Sequence, residues 1–354
     1  MLVKKIKLKN FRNIESAGLE FDNKMNVISG ENAQGKTNIL ESIWLFCGAK
    51  SFRNAKDSAF VRFGEKSGKS AIDFISGGIE HTAEMIFTDK RTAVLDGKTL
   101  KNPGELAGTL SAVVFSPADL SLVQEGPDKR RRFLDVSIGQ LYPNYIDILR
   151  SYGRAVSQRN SVIKEYKYDP SVAIMLDVFE EEIAANGKKI TEYRKKFLDE
   201  INKYLPSIYS GFSSGRESIT SLYVAKTEPT VLLDELKKGR KEDSFLGVTS
   251  AGPHRDDIEL LINGISARNY GSQGQKRSVA IALKLSTLNV INAVSGEYPI
   301  CLLDDVMSEL DEARQKYILN HISDWQTFIT CCDPSSVERL SGGRVFTVKG
   351  GGIV

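Results

Sequence analysis

"KMNVISGENAQGKTNILESIWLF", residues 24–46, decides the fold. Its centre, GENAQGKT from Gly30 to Thr37, matches G-x-x-x-x-G-K-[ST] in full. The apolar stretch before it reads as a short strand, and Ile39, Ile43 and Phe46 after it recur at helical spacing. Strand, glycine loop and helix in that order make a phosphate cradle. The glycines let the backbone wrap an anion, and the N–H groups converge at the helix N-terminus. Across Gly30, Glu31, Asn32, Ala33, Gln34 and Gly35 the loop would hold phosphates by its backbone. Lys36 would reach the β- and γ-phosphates and Thr37 would bind Mg²⁺. A second stretch, GEKSGKS from Gly64 to Ser70, imitates this pattern with one residue too few between its glycines. It opens a hairpin and reads as a surface turn.

A phosphate loop needs a further acid for the metal at the end of a neighbouring strand. PICLLDD (299–305) supplies one, an apolar run ending in Asp304 and Asp305. Asp304 is the expected metal residue, and Asp305 is placed to hold a water as general base. The plainer alternative is a strand that ends in two acids at a turn. TFITCCD (327–333) is a second strand of the same kind. Both are apolar on two faces, as central parallel strands are, and a helix over 311–325 would connect them in a right-handed crossover. YGSQGQKRSVAIALKL (270–285) poses a separate choice. Its polar turn either precedes an ordinary core helix or forms an anion site at that helix's N-terminus, through Ser272, Gly274 and Gln275.

The remaining sequence bounds the class. A chain of 354 residues, 41% apolar and 26% charged, has the composition of a soluble globular protein with ample length for a core. No apolar run is read as approaching a bilayer span, and the N-terminus MLVKKIKLKN lacks a signal-peptide core, so the expected compartment is the cytoplasm, with no membrane partner. Cys47, Cys301, Cys331 and Cys332 suggest neither a disulfide framework nor a zinc site, and His81, His254 and His321 lie far apart. A net charge of +3 is too weak to establish a nucleic-acid partner. Lys4, Lys5, Lys7 and Lys9, then KRRR (129–132) and KKGRK (237–241), form basic clusters that read more readily as solvated faces. Residues 69–100 alternate as hairpins. From about 128 to 205 the pattern is helical, with Ile190, Tyr193, Phe197, Ile201 and Leu205 on one stripe and Glu180, Glu181 and Glu182 in a charged segment.

Phosphate loop, S-x-G-Q helix start, paired acids and S-x-L-D (Ser308–Asp311), in that order, resemble the ABC-type ATPase head. The implied fold is α/β: a mixed β-sheet phosphate-loop core with a second, largely helical lobe. The boundaries read as 1–115 plus 296–354 for the first lobe and 116–295 for the second. In that family the S-x-G-Q turn contacts the γ-phosphate of ATP held by a partner subunit. ADP would forgo those charge-assisted bonds, each worth roughly 1.5–3 kcal/mol.

LKNFRN (8–13), VVFSPADLSLVQEGPDKRRRFLD (113–135), AGPHRDDIEL (251–260) and GSQGQKRS (271–278) are similar to the RecF family of bacterial recombination proteins. The resemblance implies an ATP-dependent homodimer that binds single- and double-stranded DNA and gap edges. It also implies recombinase loading with the RecR and RecO mediators during repair and fork maintenance. ATP and Mg²⁺ are the implied cofactors. It further suggests Gln124 as a metal-sensing glutamine, the alternative being a surface helix residue, and Arg12 beside the adenine, the alternative being an exposed edge residue. Arg130, Arg131, Arg132 and Arg255, with His254, become candidates for DNA phosphate; for GPHRDD the plainer reading is a turn before a strand.

Two departures from the transport-type heads point to slow hydrolysis. Asp305 stands where they carry Glu, one methylene longer. Their switch histidine is also missing, leaving Thr330, Cys331 or Asp333. A transporter ATPase would need a groove for a membrane subunit, which the extra hairpins and the insertion do not suggest. A small GTPase is disfavoured because no N-K-x-D base-reading motif occurs.

Overall fold

The computed structural model describes residues 1–48, 50–332 and 343–353, so Asp333 lies outside the described residues. The chain divides into two compact units. The first comprises Met1–Asp119, Gly211–Gly215 and Ile281–Val354; the second comprises Leu120–Ser210 and Arg216–Ala280. The expected lobe boundary at 295/296 therefore differs from the observed one, which falls inside a helix.

In chain order the first unit begins with strands β1 (Leu2–Phe11), β2 (Ile14–Glu20) and β3 (Met25–Ser29), then helix α1 (Lys36–Leu45). Strands β4 (Gly68–Ser76), β5 (Ile79–Phe87), β6 (Arg91–Leu95), β7 (Lys98–Thr99) and β8 (Ala112–Phe115) follow. The second unit holds helices α2 (Ser121–Gln124), α3 (Pro127–Leu141), α4 (Pro143–Val162) and most of α5 (Ala173–Ser213). It continues with β9 (Ile219–Val224), α6 (Leu232–Lys238), α7 (Arg240–Leu246), β10 (Asp257–Ile262), β11 (Ile265–Ser266) and α8 (Ala267–Tyr270). Helix α9 (Gln273–Ser295) crosses the boundary, and β12 (Ile300–Asp304), α10 (Glu312–His321), β13 (Thr327–Cys331), β14 (Arg344–Lys349) and β15 (Gly352–Ile353) complete the first unit.

Two six-stranded sheets build the first unit. One is antiparallel, in the order β2-β1-β4-β5-β6-β7. Its alternation is that of a half-buried sheet: Ile6 and Leu8 face the core while Lys7 and Lys9 face solvent. The other runs β15-β14-β3-β13-β12-β8, with β14, β3, β13, β12 and β8 mutually parallel. Every residue of β3, β12 and β13 is buried, which explains their continuous apolar sequence. Parallel register brings the ends of β3, β12 and β13 to one edge, with Asp304 opposite Thr330 and Cys331 opposite Ser29. Ligands in open α/β sheets bind at that carboxyl edge.

Helix α10 is shorter than the sequence suggested. Asp311 caps it by accepting from the Arg314 N–H at 2.9 Å, but it ends at His321 because Ile322–Trp325 already turns back toward β13. Helix α9 corrects a different expectation: by length and composition alone it could cross a bilayer, with a mean hydropathy of 1.4 over an 18-residue window. Because 67% of that window is buried, it is a core helix of the protein.

In the second unit the stripe of α5 is buried as expected at Ile190, Phe197, Ile201 and Leu205. Glu180 begins the charged segment. It is fully buried and accepts hydrogen bonds from Arg159 (2.9 Å) and Arg240 (3.1 Å), while Arg159 also reaches Asp243 at 2.7 Å. Its position explains this: Leu176, Glu180, Ile183, Gly187 and Ile190 share one helix face.

Candidate nucleotide-binding site

The loop from Gly30 to Gly35 leaves β3 and enters α1 with Gly30, Ala33 and Gly35 at φ of 152°, 65° and 115°. Gly30 cannot be replaced without a collision, since a Cβ there would lie 2.4 Å from the Val348 carbonyl oxygen of β14. The loop is braced from both sides. The Asn13 side chain donates to the Gln34 carbonyl at 3.0 Å and accepts from Asn38 at 2.8 Å. The Gly351 N–H donates to the same Gln34 carbonyl at 3.1 Å, and the Gly350 N–H donates to the Gln34 side chain. None of these braces was foreseen from the sequence.

Lys36 is buried, and its ammonium donates to the Gly30 and Glu31 carbonyls at 2.6 and 3.1 Å, with the Cys332 sulfur at 3.5 Å. Thr37 donates to Asp304 Oδ1 at 2.7 Å. Thr330 donates to the same oxygen at 3.0 Å and accepts the Asp305 N–H at 2.9 Å. Burial pushes the Asp304 carboxyl above the ordinary carboxylate range, against the hydrogen bonds from Thr37 and Thr330. Asp305 takes a left-handed backbone (φ 52°) and is only half-buried. Among the described residues no three His, Cys, Asp or Glu side chains cluster for a metal. The fit to Mg·ATP therefore rests on one hydroxyl and one carboxylate, leaving phosphate and water oxygens to complete an octahedral shell. That donor set, beside a lysine and a loop of positive-φ residues, suits Mg²⁺ on a triphosphate.

Other candidates are placed differently. Arg12 does not project as a free stacking group: it donates to Glu41 at 2.7 Å and lies 4.7 Å over the Phe60 ring. The structure thus puts its guanidinium on a buried glutamate instead of an exposed edge. Of the switch candidates, Cys331 is buried and Thr330 is engaged with the two acids. The side chain next to Lys36 is Cys332, which also donates to Asn32 at 3.2 Å.

In the second unit Ser272 and Gln275 form a reciprocal capping box. The Gln275 N–H donates to Ser272 Oγ at 3.2 Å, and the Ser272 N–H donates to Gln275 Oε1 at 2.7 Å. Ser272 and Gly274 are exposed, so the start of α9 is an accessible helix N-terminus. Gln124 donates to Gln273 in the same turn at 2.8 Å.

The arginine run is corrected at Arg130. It is buried, forks onto Asp257 at 2.7 and 2.9 Å, and donates to the Leu122 and Glu125 carbonyls, so it braces the unit from inside. Arg131 donates to the Asp256 carbonyl and pairs with Asp128; Arg132 is exposed. Arg255 is exposed but donates twice to the Thr249 carbonyl. His254 accepts from the Tyr152 hydroxyl at 2.5 Å and contacts Thr249 O at 3.0 Å, and burial pushes its pKa down to about 4. A neutral imidazole carries no charge, and both ring nitrogens already have partners within the protein.

Comparison with known proteins places this geometry in a context. Residues 2–349 match the family described as the RecF/RecN/SMC N-terminal domain. The DNA replication and repair protein RecF of Lachnospira eligens is 37% identical over 360 residues, covering 100% of this chain and 99% of that protein. The solved structure of the recombination mediator protein RecF with ATP, of the RecFOR pathway, superposes with a TM-score of 0.93 at 35% identity, covering 100% of this chain and 97% of that one. The Smc head domain of Pyrococcus furiosus, at 16% identity and a TM-score of 0.59 with 100% and 96% covered, shares the fold.

Proposed function

The chain belongs to the RecF family, and from that membership we propose that it is an ATP-dependent DNA-binding protein of recombinational repair and replication. Its working state is an ATP-bound homodimer in the cytoplasm. That dimer binds single- and double-stranded DNA at gap edges and acts with RecR and RecO in loading recombinase. Slow hydrolysis releases it.

The observation that carries this reading is the cluster at the carboxyl edge of the parallel sheet. Thr37 and Thr330 converge on the buried Asp304 within 3.0 Å, with β13 between its strand and the one that feeds the loop before Lys36. Lys36 leaves its loop carbonyls for the β- and γ-phosphate oxygens. Thr37 and Asp304 would hold Mg²⁺, which would supply charge neutralisation at the terminal phosphate. Asp305 orients the attacking water. In the partner copy, the exposed start of α9 at Ser272 and Gly274 receives the γ-phosphate, while Gln275 keeps that helix end capped. Gln124, bonded to Gln273, links this turn to α2.

Sedimentation of the purified chain without nucleotide, with Mg·ADP and with Mg·ATP, each with and without gapped DNA, tests the reading. A dimer is expected with ATP alone among the nucleotides, and it should persist on DNA. A chain that stays monomeric at micromolar concentration under saturating Mg·ATP and DNA would refute it.

A further inference from the structure

The surface turn that imitates a phosphate loop carries a feature the nucleotide site does not use. Phe63 is 102% exposed, more than any other large apolar side chain among the described residues. The turn is firmly anchored. The Arg62 N–H donates to the Asn10 carbonyl at 2.9 Å, the Glu65 N–H donates to the Arg62 carbonyl at 3.0 Å, and Phe11 bridges to Val61. A Cβ on Gly68 would lie 2.5 Å from the Asn10 oxygen, so that end is packed backbone to backbone. Gly64, at φ 86°, reverses the chain directly after the ring. A bare phenyl on a braced turn is a presented group.

The strands that anchor the turn present basic residues, with Glu65 in the turn and the half-exposed Ile86 opposite Lys69. Lys9 stands opposite Lys69 across β1 and β4, and Lys7 follows on the same exposed face. Lys66 lies in the turn itself. Arg62 pairs with Glu15 at 3.1 Å and Lys69 with Glu84 at 2.6 Å, whereas Lys7, Lys9 and Lys66 have no ion pair among the described residues. A protein partner would ask for an apolar patch around the ring. One aromatic face amid unpaired lysines instead matches what single-stranded nucleic acid offers: a base with an uncovered π-face beside phosphates. Duplex DNA keeps its bases stacked and offers the phosphates alone.

We propose that Phe63 is a stacking platform for one base of single-stranded DNA, whose adjoining phosphates lie against Lys7, Lys9 and Lys66. The inference rests on the DNA-binding reading above and assigns the single-strand part of it to this turn. The turn hangs from Asn10, three residues before the Asn13 that braces the phosphate loop, so one β1–β2 corner supports both.

The test uses the full chain with Mg·ATP, a labelled oligo-dT and a blunt duplex of equal length. Phe63→Ala alters a fully exposed side chain and leaves the fold and nucleotide affinity intact. It should weaken oligo-dT binding about 5- to 150-fold, the loss of one base stack, and change duplex binding by less than about twofold. Phe63→Trp should keep the affinity, with its emission quenched as the oligonucleotide binds. That signal is separable from Trp44 and Trp325, which are buried. Unchanged oligo-dT affinity in Phe63→Ala, or an equal loss on duplex, overturns the inference while leaving DNA binding standing. A chain that binds neither DNA defeats both.

Discussion

The clearest quantitative test lies at His254, in the corner GPHRDD of the second unit. Its ring is locked as one neutral tautomer. The Tyr152 hydroxyl donates to Nδ1 at 2.5 Å, so Nε2 carries the hydrogen that goes to the Thr249 carbonyl at 3.0 Å. Burial pushes the pKa from 6.5 to about 4, and Arg255, Arg131 and Arg194 push the same way, against the Thr249 carbonyl, which favours the proton. The sign follows from proton counting. Below pH 6.5 the unfolded chain takes up a proton that the folded chain refuses, so stability is complete above 6.5 and falls as pH drops toward 4. A shift of about 2.5 units at 1.36 kcal/mol each amounts to roughly 3 kcal/mol. His254→Gln removes this dependence. The variant should be less stable than wild type at pH 7.5 by roughly 1–3 kcal/mol, for its two lost hydrogen bonds. That gap should close by roughly 3 kcal/mol at pH 4, because only the wild type incurs the penalty. Carbon-13 NMR of labelled histidines, of which the chain has three, reads the titration directly, and amide exchange in the second unit reads the stability. A His254 resonance that titrates at 6 or above, or a gap that stays constant with pH, refutes the reasoning.

Four further outcomes follow from the same geometry. Lys36→Met should abolish the thermal stabilisation given by saturating Mg·ATP, which in the wild type is about 2.7 kcal/mol at a hundredfold excess over Kd. Asp305→Asn should bind ATP normally yet slow phosphate release about 100-fold or more and prolong the dimer; an unchanged turnover rate removes Asp305 as the base. Ser272→Arg should leave nucleotide binding by the monomer intact and prevent association in sedimentation. Glu180→Ala should lower the urea midpoint by an amount equivalent to about 3–5 kcal/mol, because Arg159 and Arg240 would lose the carboxylate that compensates their burial.

What the sequence made legible was what local chemistry dictates. The phosphate loop, the strand ending in Asp304 and the polar turn running into the apolar body of α9 each declare themselves within about twenty residues, because backbone wrapping, burial and helix period act at short range. The braces of the loop were invisible for the opposite reason: Gln34 is held by Asn13 and by Gly350–Gly351, one of them more than three hundred residues away. Two buried charges carried a signal that the sequence reading did not use. Glu180 and Arg130 occupy the apolar faces of their helices, Glu180 between Leu176 and Ile183 and Arg130 before Phe133, Leu134 and Ile138. Charge identity outweighed periodicity in those readings, whereas a charge at a core position calls for a buried partner. S-x-x-Q at Ser272–Gln275 was likewise visible as a capping box, which accounts for these two residues without a ligand, so the proposed clamp rests on the exposed N-terminus and Gly274.

Thr330 shows how one side chain can settle an apparent defect. A histidine at the end of the strand after the acids would bring a donor to the γ-phosphate; a threonine brings a single hydroxyl hydrogen. Here that hydrogen goes to Asp304, and the oxygen's lone pair takes the Asp305 N–H. The hydroxyl therefore fixes the spacing of the two acids, and it does so where Asp305 adopts a left-handed backbone that costs a non-glycine residue about 1 kcal/mol. A strained turn persists only where its surroundings hold it, and the bond from Asp305 to Thr330 is such a hold. Strain kept at this position carries meaning if the aim of the Asp305 carboxylate matters, since an unaimed acid would relax to an ordinary turn. The shorter Asp in place of Glu and the threonine in place of histidine then belong to one arrangement. In the function proposed above, a base of limited reach sits on a left-handed backbone held by Thr330, with no histidine beside it, which accords with the slow hydrolysis proposed there.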